Sequence, residues 1–219
     1  MATVARPSGK PGRDCPRCPR LVAFRKNWRA REPGWFNAPV PSFGPIDARL
    51  LIVGLAPGLR GANRTGRPFT GDYAGDLLYA TLKEFGFAEG SYEARPDDGL
   101  ALIDCRITNA VRCVPPENKP TPLEIATCRD FLAATIGEMT AVSAVVALGR
   151  VAHDTFIAAQ NAKRSDYPFT HGGAHALGAI ALFDSYHCSR LNTSTGVLTL
   201  KMFGAVFARV RKHLDGAPR

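Results

Sequence analysis

Long hydrophobic runs are absent from this sequence, and cysteine is scarce. The longest apolar stretches in its 219 residues, Leu50–Gly54 and Val142–Leu148, have the length of strands, whereas a membrane-spanning helix needs about 18 apolar residues or more. Residues 1–13 are basic but have no apolar stretch behind them, which argues against a secretory signal. Six cysteines are too few for a disulfide scaffold. We therefore expect a cytoplasmic protein with no membrane partner, whose reduced cysteines serve a metal or cluster site.

Acidic residues are also few relative to basic ones. The chain has 28 Lys and Arg against 19 Asp and Glu, which gives a formal net charge of +9 and a pI of about 9.6. This excess favours a polyanionic partner. The 45% hydrophobic and 21% charged content is ordinary for a globular protein and excludes disorder over the whole length.

Strand-like and helix-like segments alternate along the chain after a basic tail. We predict a disordered tail over residues 1–14 and a single domain over residues 15–215. The predicted strands are Arg49–Gly54, Leu102–Val111, Val142–Leu148 and Ala179–Ser185. The predicted helices are Leu21–Trp28, Ala74–Phe85, Pro122–Ile136, Val151–Gln160 and Thr195–Leu214. This alternation indicates an α/β fold, a three-layer α/β/α sandwich around a four-stranded, mainly parallel sheet.

Polar and glycine-rich loops follow each predicted strand at its carboxyl end. They cover residues 54–72, 109–116, 149–150 and 187–195. Because the carboxyl ends of parallel strands meet at one edge of a sheet, where ligands bind in open α/β folds, these loops predict one shared site.

Four of the cysteines have the spacing of a metal-binding set. Cys15 and Cys18 form a CxxC pair, and the distant Cys113 and Cys128 can complete four ligands for zinc or an iron–sulfur cluster. The alternative for Cys113 or Cys128 is a small buried side chain in the core. Cys105, inside a predicted strand, is expected in the core.

The loops carry several side chains suited to chemistry on a nucleic acid. In the segment from Asn63 to Asp72, Arg64 and Arg67 could hold phosphates, Phe69 could stack on a base and Asp72 could act on a sugar. Core packing of Phe69 and helix capping by Asp72 are the alternatives. The segment Gly54–Gly58 lacks a Walker ending, so its glycines indicate either close backbone contact with a planar ligand or only a tight turn. We expect His171 and His175 to be structural.

Taken together, the segments GLAPG, NRTGRPFTGD, TNAVRCVPPENKP and HCSRLNTSTGVLT resemble the uracil-DNA glycosylase superfamily. More narrowly, they resemble family 5, the type-b branch that contains an iron–sulfur cluster, and the similarity runs from Cys15 to about Val210. The resemblance implies a monofunctional DNA repair hydrolase that flips uracil out of DNA and cleaves its N-glycosidic bond. It also suggests activity on hypoxanthine or xanthine and a monomer that acts in the nucleoid on double-stranded and single-stranded DNA.

The resemblance further implies a role for each matching residue. The base would be bound by Gly54, Leu55, Ala56, Pro57, Gly58, Phe69, Asn109 and His187. The catalytic groups would be Asp72, His187 and Asn109, with His187 on the base O2 and Asn109 on the amide edge. DNA contacts would come from Ser189, Arg190, Leu191, Asn192, Arg64 and Arg67, with Leu191 entering the minor groove. A structural [4Fe-4S] cluster would be held by Cys15, Cys18, Cys113 and Cys128, with zinc as the alternative.

Two positions depart from the superfamily pattern. Leu55 is apolar where many members have an acidic or amide residue, which is itself typical of family 5, so we expect Asp72 to supply the missing carboxylate, with Asp76 as second choice. Cys188 stands where relatives often have proline.

Three other functions compete with this interpretation. A non-catalytic metal-containing DNA-binding protein would share the charge and the cysteines, but would not need Asp72, Asn109 and His187 at strand ends. A zinc deaminase would require an H-x-E motif, which the sequence lacks. A branch of the superfamily that binds uracil covalently would need a basic insertion after the first motif, which is also absent.

Overall fold

Helices cover both faces of a mainly parallel sheet in the computed structural model, which describes residues 9–216. The strands are β1 (Leu50–Gly54), β2 (Ala88–Glu89), β3 (Ala101–Leu102), β4 (Cys105–Asn109), β5 (Ala144–Leu148), β6 (Ala174–Leu177) and β7 (Ile180–Ser185). The α-helices are α1 (Pro19–Arg31), α2 (Ala62–Thr65), α3 (Tyr73–Glu84), α4 (Pro122–Glu138), α5 (Arg150–Ala159), α6 (Arg190–Ser194) and α7 (Leu200–Gly216). Short 3-10 turns lie at Pro116–Asn118 and Arg164–Asp166. The predicted α/β layering is confirmed.

The main sheet has the strand order β4-β1-β5-β7-β6 within the described residues. The first four of these strands are parallel, and β6 pairs antiparallel with β7 at the edge. The predicted count of four strands is therefore wrong by one. The missed strand, Ala174–Leu177, has only four residues, of which two are exposed and one is buried, so it has no apolar run by which the sequence would reveal it.

The second predicted strand, Leu102–Val111, is divided in the structure. Its first residue belongs to β3, which pairs with β2 in a separate two-stranded sheet, and Cys105–Asn109 form β4. The break falls at Asp104, which has a left-handed backbone (φ 51°) and accepts hydrogen bonds from Arg49 through both carboxylate oxygens. This ion pair fixes the start of β4 beside β1.

Two apolar clusters, one on each face, hold the sheet between its helices. The central strands β1 and β5 are completely buried, and alternate residues enter opposite clusters, for example Ile52 on one face and Leu51 on the other. The first cluster contains α3 and α7, and the second contains α4 and α5. No helix among residues 9–216 has the length and apolar content needed to cross a membrane.

Both chain ends differ from the predictions. Within the predicted disordered tail, residues 9–14 are described, and Gly9 packs against the domain: Gly9 N donates to Glu138 Oε1 at 2.9 Å, and Arg112 donates to Gly9 O. Residues 1–8 of that tail lie outside the described residues. The last helix begins at Leu200 instead of Thr195, because Gly196 takes a left-handed conformation (φ 74°) that separates it from α6.

Candidate active site and cysteine cluster

A cavity of about 700 Å³ opens at the carboxyl ends of β1, β4 and β7. We call it the edge cavity. Its walls come from the loop after β1 (residues 55–62), from Phe69 and residues 72–74, from Asn109 and Asn118, and from residues 187, 189 and 190. Three of the four polar loops that were predicted to share a site therefore meet at this cavity, whereas Gly149 and Arg150, which follow β5, do not line it.

Phe69 and His187 form one wall of the edge cavity. Their ring centroids lie 6.0 Å apart with an interplanar angle of 29°. Phe69 has a left-handed backbone (φ 51°), and its ring packs against Gly54, where an added Cβ would lie 2.6 Å from Cζ. Glycine at the end of β1 is required by this close approach.

Asn109 is buried at the inner end of the edge cavity, opposite Gly54 in the sheet register. Its Oδ1 atom has no hydrogen-bond partner among the described residues, although it is fully shielded from solvent by them. A buried acceptor without a partner costs roughly 1–3 kcal/mol, so turning this amide toward a hydrogen-bond donor in the edge cavity would be favourable.

His187 is neutral in this environment. Burial lowers the pKa of its imidazole to about 4. A neutral imidazole can donate one ring N–H to a carbonyl oxygen in the edge cavity without carrying a charge of its own.

Asp72 both caps helix α3 and faces the edge cavity. Its Oδ1 accepts from Gly75 N at 3.3 Å, and its Oδ2 lies against the first loop, 3.0 Å from where a Cβ of Gly58 would be. Burial raises the pKa of this carboxyl, and the backbone hydrogen bond from Gly75 partly opposes the rise. Asp76 is exposed and does not line the cavity. The capping and pocket interpretations of Asp72 are thus compatible.

The segment after His187 folds into the short helix α6 at the cavity mouth. Ser189 caps it by accepting from Asn192 N, and Asn192 Nδ2 donates to His187 O at 2.8 Å. Arg190 and Leu191 point outward, with Leu191 71% exposed. The side chain of Asn192 therefore holds the loop together, and Leu191 is available to a partner.

Arg64 and Arg67, predicted together as DNA contacts, have opposite environments. Arg64 is exposed, whereas Arg67 is 5% exposed and forms a two-pronged ion pair with Asp98 at 2.8 and 2.7 Å. Its Nε atom also donates to Thr70. The prediction that Arg67 contacts DNA is therefore corrected: its guanidinium holds the loop in place from inside.

The four predicted cysteine ligands meet at one site between α1, the loop after β4 and α4. Cys15, Cys18, Cys113 and Cys128 surround an enclosed space of about 20 Å³, together with apolar neighbours such as Leu21. We call this the cysteine cluster. Burial raises the pKa of Cys18 to about 11 and that of Cys113 to about 12. Buried thiols of this kind are stable as thiolates only when a metal supplies positive charge.

Two buried arginines next to the cysteine cluster fit an anionic group there. Arg25 is 2% exposed and donates to Cys113 Sγ at 3.3 Å, and Arg112 is 1% exposed and donates to Cys128 Sγ through its backbone N–H. Neither guanidinium forms an ion pair with a carboxylate of residues 9–216, and a buried charge needs a counter-charge. Four thiolates around zinc or an iron–sulfur cluster carry a net negative charge that would supply it.

Cys105 and Cys188 are completely buried and lie outside the cysteine cluster.

The two histidines of the HxxxH segment, His171 and His175, have different hydrogen-bond and ion-pair partners. His171 accepts from Tyr186 N, while His175 Nε2 lies 3.4 Å from Asp184 Oδ2, beside His153. Both ring nitrogens of His153 have hydrogen-bond partners, so this group is a network under β7.

The match to known proteins covers the same loops. The family model described as the Uracil DNA glycosylase superfamily matches residues 41–211, which include every wall of the edge cavity. The chain belongs to this superfamily. The matched range excludes Cys15 and Cys18, so the cysteine cluster joins an N-terminal pair to the superfamily core.

Individual relatives narrow the superfamily to one branch. A Type-5 uracil-DNA glycosylase of Thermus thermophilus is 45% identical over 205 residues, covering 90% of this chain and 93% of that protein. Proteins with the same name from Mycobacterium tuberculosis and Pyrobaculum aerophilum are 42% and 38% identical, again over 90% of this chain and over 77% and 87% of their own lengths. The resemblance to family 5 is confirmed.

Three polar side chains that line the edge cavity were not predicted as site residues by the sequence analysis. Arg60, Tyr73 and Asn118 all line the edge cavity, and Tyr73 is 47% exposed at its mouth. Asn118 takes a left-handed conformation (φ 57°) in the turn after the rigid Pro115-Pro116 pair. The sequence signal for Asn118 was the run of turn-forming residues after the second strand, but only the fold directs that turn toward β1.

Proposed function

We propose that this protein is a monofunctional uracil-DNA glycosylase, which hydrolyses the N-glycosidic bond of uracil in DNA and leaves an abasic site. The observation that carries the proposal is the buried, unpartnered Asn109 Oδ1 next to the stacked rings of Phe69 and His187. A flipped uracil would stack on Phe69 and give its N3–H to this oxygen. The Asn109 amide N–H can then donate to the base O4.

His187 would stabilise the leaving base. As the glycosidic bond breaks, the electron pair stays with the base and negative charge develops at N1 and O2. A neutral imidazole donates to O2 without a proton having to be lost or gained first, and removing one such preorganised donor costs roughly 3–4 kcal/mol.

Asp72 would act on the sugar side. The sugar becomes an oxocarbenium-like cation, which a carboxylate stabilises, and the same carboxylate can orient the attacking water. Leu55 in the first loop offers no polar group for this, and the Asp72 Oδ2 atom lies against that loop. The hydrogen bond from Gly75 N at the start of helix α3 favours one orientation of the carboxylate.

The substrate range extends to hypoxanthine and xanthine. These bases are larger than uracil, and the first loop offers backbone groups of Leu55, Ala56 and Pro57 to any planar base in the edge cavity. Uracil opposite guanine should be released faster than uracil opposite adenine, because flipping a mismatched base costs less.

The cysteine cluster would hold a structural [4Fe-4S] cluster bound by Cys15, Cys18, Cys113 and Cys128, which would tie the N-terminal segment to the loop after β4. When bound, this group would cross-link the two segments and supply negative charge. Its role would be structural, because hydrolysis needs no electron transfer. The protein would work as a monomer on nucleoid DNA in the cytoplasm, with Ser189, Arg190 and Leu191 at the minor groove and Arg64 on a phosphate.

The test is a single-turnover assay on oligonucleotides that contain one uracil, read by alkaline cleavage of the abasic site. We expect release from the wild type and a loss of about 100-fold or more for Asn109→Ala, because the base loses its edge contacts. On substrates that contain hypoxanthine or xanthine, Asn109→Ala should reduce the rate of base release less, if backbone groups bind these bases. Unchanged uracil release by Asn109→Ala would refute the base-reading role, and no release by the wild type would refute the function.

A further inference from the structure

A second opening lies at the far end of helix α2 from the edge cavity. It has a volume of about 490 Å³, and its side chains include three arginines and two aromatic residues. The cations are Arg13, Arg64 and Arg95, and the rings are those of Trp35 and Phe36. No carboxylate is among the described residues that line it. We call this opening the arginine cleft.

The aromatic side of the arginine cleft is held rigidly. Trp35 stacks on Trp28 with 5.5 Å between ring centroids and an interplanar angle of 1°. The next residue, Phe36, donates from its backbone N–H to Arg64 O at 3.0 Å. The rings thus need no ordering when a ligand arrives, which reduces the entropic cost of binding.

The arginine cleft and the edge cavity share the short helix α2. Ala62 at its start lines the edge cavity, and Arg64 and Thr65 at its end line the cleft. One helical turn is about 5.4 Å long, so the two sites are neighbours. Arg64 also packs against Gly71, where an added Cβ would lie 2.9 Å from Nη2, and the next residue, Asp72, lines the edge cavity.

The charges in the arginine cleft are available to a ligand. An ion pair at its rim joins Arg95 to Glu93, and both side chains are more than half exposed, at 60% and 57%. Exposed pairs of this kind contribute little, so a phosphate can replace the carboxylate. Arginines beside partly exposed rings form the combination that binds single-stranded nucleic acids, in which cations follow the backbone and bases stack on the rings.

We propose that the arginine cleft binds single-stranded DNA next to the nucleotide whose base enters the edge cavity. The inference rests on the proposed DNA substrate and adds to it a second subsite of defined chemistry. In a duplex the neighbouring bases remain stacked and paired, so the rings of Trp35 and Phe36 have no base to contact. The cleft would therefore favour single-stranded over double-stranded substrates.

The experiment uses an oligodeoxythymidylate without uracil, so that binding is measured without catalysis. Trp28 and Trp35 are the two tryptophans of the chain and stack on each other, so their fluorescence should be quenched when a base enters the cleft. Salt titrations give the number of phosphates bound, with a slope of roughly 0.7 per phosphate on single strands. We expect the Arg13→Ala/Arg95→Ala variant to reduce this slope by about 1.4 and the affinity by about tenfold or more.

The matched control is Lys163→Ala/Arg164→Ala, which removes two exposed cations before β6, at the opposite edge of the sheet from β4. It should leave the slope and the quenching unchanged. Trp35→Phe keeps an aromatic ring and should retain binding while the quenching falls. Equal weakening of single-stranded and double-stranded binding by the arginine variant, or no weakening at all, would overturn the proposal. Because the probe contains no uracil, absence of uracil release would count against the proposed function and leave this result standing.

Discussion

The edge cavity and the cysteine cluster lie at the two ends of one short loop, yet they are built on opposite principles. Asn109 ends β4 and lines an open cavity, and its buried Oδ1 atom has no hydrogen-bond partner among the described residues, whereas Cys113, four residues later, faces an enclosed space beside a buried arginine. An open cavity that contains a polar atom without a partner is suited to a substrate, which binds and is released. An enclosed space next to a buried charge without a counter-charge is suited to a cofactor that remains bound. The difference separates a substrate site from a resident cofactor site.

The strongest test of this comparison is to replace one of the four cysteines that we propose as ligands of the metal cluster. Cys113→Ala should abolish the yellow-brown colour and the iron, about four per chain in the wild type, and should lower the yield of soluble protein. Iron analysis and visible absorbance measure this directly. The control Cys105→Ala changes a buried cysteine outside the cluster and should keep its iron. A colourless wild type containing one zinc would establish the zinc alternative instead.

At the open site, the largest effect is expected from the carboxylate. A charge about 4 Å from a full positive charge, at an effective dielectric constant of about 20, contributes on the order of 4 kcal/mol. Asp72→Asn, which keeps a capping oxygen, should therefore reduce the single-turnover rate on G:U DNA by up to about a thousandfold. Asp76→Asn is the matched control one turn later and should be nearly neutral. If the opposite pattern is found in folded variants, Asp72 is only a helix cap.

The pH dependence of the free energy of unfolding tests whether His187 is buried as a neutral imidazole. Its folded pKa, about 4, lies below the usual value of 6.5, so the unfolded chain binds more protons between these pH values. The free energy of unfolding should therefore fall on acidification, by at most about 2 kcal/mol between pH 7 and pH 5 from this group. Denaturant unfolding of His187→Gln should show a smaller fall than the wild type. Identical pH profiles would contradict the burial of a neutral histidine.

The smallest expected effect concerns Leu191, the exposed side chain that we expect to enter the minor groove. Leu191→Ala should reduce uracil release from duplex DNA by about tenfold, or ~1.4 kcal/mol, because only a duplex needs its gap filled. Release from a single strand should change little. The control Leu200→Ala alters another leucine of similar exposure, 73% against 71%, outside the edge cavity. Equal losses on both substrates would make Leu191 a packing residue.

Local patterns were sufficient for the features that depend on neighbours in sequence. The alternation of buried runs with helical segments predicted the parallel strands β1, β4, β5 and β7 in order, and turn residues after each strand predicted where the polar loops would meet. The CxxC spacing predicted that two of the four thiols, those of Cys15 and Cys18, lie at the same metal site. These predictions succeed because period, turn chemistry and strand direction are fixed by short stretches of chain.

Other features depended on partners far away in sequence, and no local pattern could reveal them. Arg64 and Arg67 look alike in the sequence, but Asp98, 31 residues beyond Arg67, draws only Arg67 inside. The edge strand β6 has only four residues, two of them exposed, so its pairing with β7 defines it. Whether Asp72 caps a helix or faces a cavity was likewise decided by the loop after β1 folding against it. Sequence determined which groups were present, and the tertiary structure decided which of them remained without a partner, because burial and charge compensation are properties of contacts between distant segments.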